Sequence, residues 1–247
     1  MVTPMTDGVE GGVTVRAPAK LTVSLRMTGV RADGYHLIDA EMVSLDLADL
    51  LTFTEGDGLK VTGPTAAHAG PPADNLVTRA LRAVGRRAHV RLEKHIPVGG
   101  GLGGGSSDAA AVLRWAGVDD LAVAAGLGAD VPFCVRGGRA RVTGIGEVLD
   151  RLPFVARTFT LVVPPFGCST PAVYHQWDAL GGPTAAGPND LEPAALVVEP
   201  RLVEWRDRLG EATGETPILA GSGSTWFVPG EHPGEGRIVV HTVGAPA

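Results

Sequence analysis

An α+β fold is what this sequence of 247 residues predicts, and three observations carry the prediction. Apolar residues alternate strictly at Val15, Ala17, Ala19, Leu21, Val23 and Leu25, the period of a strand with one buried face. Further on, Leu76, Ala80, Leu81 and Val84 fall on one face of a helix. The two kinds of segment then mix without the regular βα alternation of a doubly wound sheet.

Taken in order, Val13 to Met27 is extended, and Arg31-Ala32-Asp33-Gly34 is a turn by composition. Leu37 to Phe53 reads as a strand pair, since Val43, Leu45 and Leu47 alternate. Asp74 opens a helix that runs through Arg86. Val90 to Glu93 is a short strand feeding a glycine run, and Ser106 or Ser107 caps the helix beyond it, which ends near Gly117. A short helix from Asp119 to Leu127 precedes a turn at Gly128 to Pro132, and Arg139 to Leu149 forms a strand and hairpin. After Pro153 the chain restarts with a strand from Phe159 to Val163, closed by Pro164-Pro165. A helix from Pro171 to Leu180 and helical stretches after Asp190 follow. Ile218 to Val228 reads as strand, glycine turn and strand, and Gly236 to Val243 as a last strand. The hinge falls near Leu152-Pro153, which divides the chain into two domains, 1–152 and 153–247.

Composition narrows the function. Hydrophobic residues make up 44% and charged residues 19%, as in a globular protein with a sizeable core. The net charge of −6 argues against a general nucleic-acid binder, which would show a basic face. No apolar run approaches membrane-spanning length, and Met1 to Gly12 lacks a basic-then-apolar signal pattern. Cys134 and Cys168 have neither metal spacing nor a secretory context, so both read as reduced thiols of a cytoplasmic protein. Eighteen of the cations are arginine and only Lys20, Lys60 and Lys94 are lysine, which suggests that lysine is kept where a compact ammonium matters.

The glycine run is the most informative segment. After Pro97, Gly99, Gly100, Gly101, Gly103, Gly104 and Gly105 surround Leu102 and lead into Ser106 and Ser107. Glycine loses most conformational freedom on folding, so this is a costly way to build a turn. The cost makes sense where backbone N–H groups close around a bulky anion, aided by the positive end of the following helix. A Walker loop would need Gly-Lys-Ser/Thr, and no lysine follows these glycines. A dinucleotide fingerprint would need an acidic residue about twenty positions on, and Asp119 and Asp120 come too early.

The run instead resembles the second motif of the GHMP kinases (galactose, homoserine, mevalonate and phosphomevalonate kinases), Pro-x-x-x-Gly-Leu followed closely by Ser-Ser. Its long form is most similar to the branch that acts on 4-diphosphocytidyl-2-C-methyl-D-erythritol. Ala17-Pro18-Ala19-Lys20-Leu21-Thr22-Val23 resembles the first motif, and Gly128-Ala129-Asp130-Val131-Pro132-Phe133 resembles the segment that carries the catalytic aspartate. Leu219 to Ser224 resembles the third motif. The resemblance spans about Val13 to Phe227 and implies a two-domain GHMP-kinase-like fold with the active site in the cleft between the domains.

It further implies an ATP-dependent kinase that phosphorylates the 2-hydroxyl of that substrate in the non-mevalonate route to isoprenoids, with Lys20 and Asp130 catalytic. A carboxylate within reach of the acceptor hydroxyl takes its proton, and a neighbouring ammonium offsets charge on the phosphoryl group. By the same resemblance, ATP is held by Asn75, Leu76, Lys94, Pro97, the glycines and Leu102 of the run, Ser106 and Ser107, with Ser107 also a Mg²⁺ ligand. The nucleotide-linked substrate meets Thr22, Tyr35, His36, Tyr174, Gly221 and Ser222, the two tyrosines sandwiching the cytosine ring.

Departures from the pattern matter too. Thr22 stands where the family usually has asparagine, and the segments after Arg82, Trp115 and Gln176 are short, as is the C-terminus. Two alternatives therefore stay open: a GHMP kinase for another small alcohol, and a nucleotide-binding homologue that has lost catalysis. Oligomeric state is not legible.

Overall fold

The computed structural model describes residues 11–68 and 70–246, so most of the Met1 to Gly12 stretch read above lies outside the described residues. The fold is α+β, organised on one exceptionally long strand. β1 (Val13–Val30) turns through residues 31–35 into β2 (His36–Thr54). β2 is one continuous strand, not the expected pair, and it is central. β1 follows one of its edges, and β5, β10 and β4 share the other in succession. Both its faces are covered at the middle, so Met42, Val43, Ser44 and Leu45 are all buried and the alternation that continues on either side is broken there.

Next come β3 (Gly58–Thr62), which sequence periodicity did not reveal, a 3₁₀ turn at Ala66–His68, α1 (Leu76–Ala83) and β4 (His89–Glu93). β3 pairs parallel to β4, and α1 starts later than expected because Asn75, not Asp74, caps it, accepting from Val77 N at 2.9 Å. α2 (Gly104–Trp115) is the central helix. Its run Ala109 to Leu113 is fully buried against β1, β2, α1 and α4, and Trp115 stacks on Phe53 with ring centroids 4.5 Å apart. α3 (Leu121–Leu127) and α4 (Val131–Arg136) follow; the expected turn stands between them, closed by Val131 N donating to Gly128 O at 3.1 Å, and α4 takes over its last two residues, with Pro132 tolerated in the first helical turn, where no N–H partner is lost. β5 (Arg139–Gly144) and β6 (Val148–Arg151) form the hairpin.

Residues 152–157 lead to β7 (Thr158–Val162), α5 (Thr170–Ala179), α6 (Glu192–Val198), α7 (Leu202–Thr213), β8 (Ile218–Leu219), β9 (Trp226–Pro229) and β10 (Arg237–Val243). These strands run in the antiparallel order β10-β7-β9-β8, and β10 also meets β2 through Thr242 and Val243, so the two halves share a sheet. Both apolar clusters of the core draw on the two halves, and the smaller one lies beneath the glycine run's Leu102. Leu21, Leu45, Ile96 and Leu102 from the first half pack with Phe159, Leu161 and Phe227 from the second. Burying each such side chain contributes about 1.5–3 kcal/mol before the entropy of ordering is counted. Among the described residues no helix is long and apolar enough to cross a membrane.

Candidate active site

The glycine run crosses from β4 to α2 over the middle of β1. Lys20 N on β1 donates to Leu102 O at 3.0 Å, and the buried Leu102 side chain anchors the run in the shared core. Two positions need glycine for steric reasons. Gly103, the N-cap of α2, has φ +68°, and a Cβ there would lie 2.6 Å from Lys20 Cγ. Gly101, at φ +78°, would bring a Cβ within 2.5 Å of Gly223 O. The helix thus begins three to four residues earlier than a serine cap would place it, and no side chain caps it. Its first N–H groups remain free to meet an anion.

Facing that helix end is a cleft of about 440 Å³. Lys20 rises into it from β1, buried except for its tip: Nζ lies 3.3 Å from Asp130 Oδ2 and donates to Thr22 Oγ1 at 3.2 Å. Thr22 therefore still gives Lys20 an oxygen partner. Asp130 is the N-cap of α4, yet its side chain makes no capping hydrogen bond and is 32% exposed, so the carboxylate is left for the cleft. Gly99, Gly101, Gly103, Gly104, Gly105 and Ser106 complete the wall on the loop side, with Leu76; Tyr174, Gly221 and Ser222 line the cleft as well. Burial pushes the Tyr174 hydroxyl up to about 12, with the charge of Asp130 adding to the effect.

A smaller cleft of about 230 Å³ continues behind the run, lined by Asn75, Leu76, Pro97 and Leu102 as well as Lys94 and Asp108. Lys94 is not a free cation here. Its ammonium donates to Asp108 Oδ2 at 2.8 Å and to Asp49 Oδ2, and all three side chains are almost wholly buried. Asp49 Oδ1 also accepts from His95 N and Ile96 N, at 2.5 and 2.8 Å, fixing the entry to the glycine run. Burial alone would lower the Lys94 ammonium, but the charges of Asp108 and Asp49 outweigh it and hold it above the usual lysine value. Asp108 is pushed up to about 7, first by burial, with Lys94 opposing and Asp49 adding.

Three expected site residues sit elsewhere. Gly100 lies beneath the run, its carbonyl accepting from Thr225 N at 3.1 Å and from Thr225 Oγ1 at 2.5 Å. Ser107 is 1% exposed and its hydroxyl donates to Pro18 O at 2.6 Å, so it is turned toward β1, and Ser106 is the serine that lines the cleft. Helical geometry is the reason: adjacent residues point about 100° apart, and only one of the pair can face the anion. Tyr35 is 56% exposed, with the Arg31 guanidinium 5.4 Å from its ring centroid. His36 does meet Tyr174, at 5.0 Å between ring centroids.

Sequence reasoning missed several contributors. Asn189 Nδ2 donates to Leu219 O at 2.8 Å and to Gly221 O at 2.7 Å, holding the turn between β8 and β9 against the cleft. Thr170 Oγ1 pairs with Ser222 Oγ at 2.7 Å across its mouth. Asp49 and Asp108 had one legible signal each, a carboxylate inside an apolar strand and another inside an alanine-rich helix.

Comparison with known proteins agrees with this geometry. Residues 75–138 match the family described as GHMP kinases N terminal domain. The chain is 40% identical over 231 residues to the 4-diphosphocytidyl-2-C-methyl-D-erythritol kinase of Paracoccus denitrificans, covering 85% of this chain and 84% of that one. It is 44% identical over 266 residues to the protein of the same name from Heliobacterium modesticaldum, covering 85% and 83%. Among solved structures, a 4-(cytidine 5'-diphospho)-2C-methyl-D-erythritol kinase superposes with a TM-score of 0.75 at 32% identity, over 94% of this chain and 100% of that one. A homoserine kinase from Cytophaga hutchinsonii shares the fold, with a TM-score of 0.58 at 17% identity over 98% and 97% of the two chains. The fold, the cleft and these relatives agree: the chain belongs to the 4-diphosphocytidyl-2-C-methyl-D-erythritol kinase family of the GHMP kinases.

Proposed function

We propose that this protein transfers the γ-phosphoryl group of ATP to the 2-hydroxyl of 4-diphosphocytidyl-2-C-methyl-D-erythritol, a step of the non-mevalonate route to isoprenoids. The observation that supports it most is the pairing of Lys20 with an uncapped, accessible Asp130 opposite the open N-terminus of α2. In this reading the triphosphate lies in the glycine run, where N–H groups and the helix dipole balance its charge. The acceptor hydroxyl sits beside Asp130, which takes its proton as the bond to phosphorus forms. Lys20 holds the carboxylate in place and offsets negative charge on the transferring group.

Mg²⁺ would supply further charge neutralisation, and the Ser106 hydroxyl in the cleft wall would suit it as an oxygen ligand better than the inward-turned Ser107. Tyr174 and His36 would hold the cytosine ring, and Thr22, Gly221 and Ser222 the polyol end. The halves 1–152 and 153–247 act as two lobes around the cleft, and two free thiols suit a cytoplasmic protein.

ADP release measured with a panel of alcohols tests the reading. Turnover with the cytidyl substrate, and little with homoserine or mevalonate, is expected. Preference for one of the simpler alcohols would transfer the activity to another branch of the superfamily, and no ADP release with any acceptor would mean a lapsed nucleotide binder.

A further inference from the structure

His36 is held by a carboxylate that nothing in the proposed chemistry uses. Its Nε2 lies 2.8 Å from Asp178 Oδ1, while its ring packs on Tyr174 and meets Trp177 edge-on, with centroids 5.8 Å apart. Trp177 is itself fixed, donating from Nε1 to Pro183 O at 3.0 Å. All three partners belong to α5, so this helix sets both the position and the rotation of an imidazole that comes from β2. Asp178 lies in the last turn of α5, where the helix dipole disfavours an anion, so helix stability does not account for it.

The hydrogen-bond inventory of the ring is uneven. Nδ1 has no partner among the described residues, yet it is not one of the buried unpaired atoms, so it is open to solvent beside Tyr174. In the neutral imidazole, donation from Nε2–H to a carboxylate leaves Nδ1 as a pure acceptor. An acceptor next to an aromatic face discriminates between pyrimidines. Cytosine presents an exocyclic amino donor on its polar edge where uracil presents a carbonyl oxygen. We propose that Asp178 is a positioning residue that fixes the His36 tautomer, so that Nδ1 accepts from the cytosine amino group and rejects uracil. This rests on the reading that the protein binds a cytidyl substrate.

Binding of CDP and UDP to the wild type, Asp178→Ala and Asp178→Asn, followed by calorimetry at about pH 8.5, tests it. The wild type should prefer CDP by at least about tenfold. Asp178→Ala releases Nε2, allows both tautomers, and should shrink the CDP/UDP ratio by about fivefold or more. In Asp178→Asn the amide oxygen can still accept from Nε2–H, so the ratio should largely return. A merely structural Asp178 would weaken both nucleotides together and leave the ratio alone; that result in a folded Asp178→Ala variant overturns the proposal. Absence of CDP binding to the wild type would instead remove the cytidyl reading itself.

Discussion

Two buried lysines flank the glycine run, and their carboxylate partners separate chemistry from architecture. Lys20 meets one carboxylate, Asp130, which is a third exposed and makes no backbone hydrogen bond. Lys94 meets two, Asp49 and Asp108, both buried, one of them also accepting from two backbone N–H groups. The first pair retains an oxygen for a substrate. The second has its charges committed to holding the loop, with Asp108 Oδ1 sealed away without a partner. Lysine type and motif position were the same kind of signal for both in the sequence; only the count and exposure of the partners distinguishes them.

The sharpest break of this comparison is at Asp130. Asp130→Asn keeps the shape and removes the base, so single-turnover rates should fall roughly 10²–10⁴-fold while ATP affinity barely changes. Lys20→Met should cost roughly 10²–10³-fold in rate, and the double variant much less than the product of the two losses. Full turnover in folded Asp130→Asn would reduce the pair to a structural one like its neighbour.

Lys94→Met should do the opposite, destabilising the fold by about 3–5 kcal/mol in urea titration because it strands two buried carboxylates. A stable Lys94→Met protein with weakened ATP binding would instead return Lys94 to the nucleotide. Tyr174→Ala sharpens the catalytic side of the comparison. It should raise KM for the cytidyl substrate by the equivalent of about 1–3 kcal/mol of lost stacking and leave KM for ATP nearly unchanged.

The smallest effect belongs to a surface cluster that serves as a control. Glu41 joins Arg139 and Arg157 at 2.8 Å each. The hydrogen bond from Arg139, and then the charge of Arg157, hold its carboxyl below the usual range despite partial burial. Its contribution is therefore present above the ordinary glutamate value of 4.5 and lost as pH falls through the lower folded value. Glu41→Gln should cost no more than about 1 kcal/mol at neutral pH. Thermal melts of variant and wild type should converge in acid, and a gap that widens there would assign Glu41 the wrong partners.

What the sequence revealed follows from how local each feature is. The glycine run, Lys20 and Asp130 each lie in a short contiguous segment, and the structure brings all three to one cleft. The start of α2 was misplaced because the serines looked like caps, whereas Lys20, more than eighty positions earlier, dictates a glycine at that spot. The Asp49–Lys94–Asp108 cluster was illegible because sheet register and a helix face, not spacing, bring its members together. β2 hid its continuity for a related reason: burial of both faces from Met42 to Leu45 breaks the alternation at the strand's middle, so one strand reads as two.

The close seating of Gly101 against Gly223 has an engineering consequence. The loop proposed to hold the phosphoryl donor and the turn proposed to hold the acceptor form one wall, with Gly100 O bonded to Thr225 and no room for a single methyl group between the two. Attempts to retune the acceptor by rebuilding residues 220–225 would therefore disturb donor alignment at once. Acceptor specificity is better redesigned from α5, whose Tyr174 lines the same cleft.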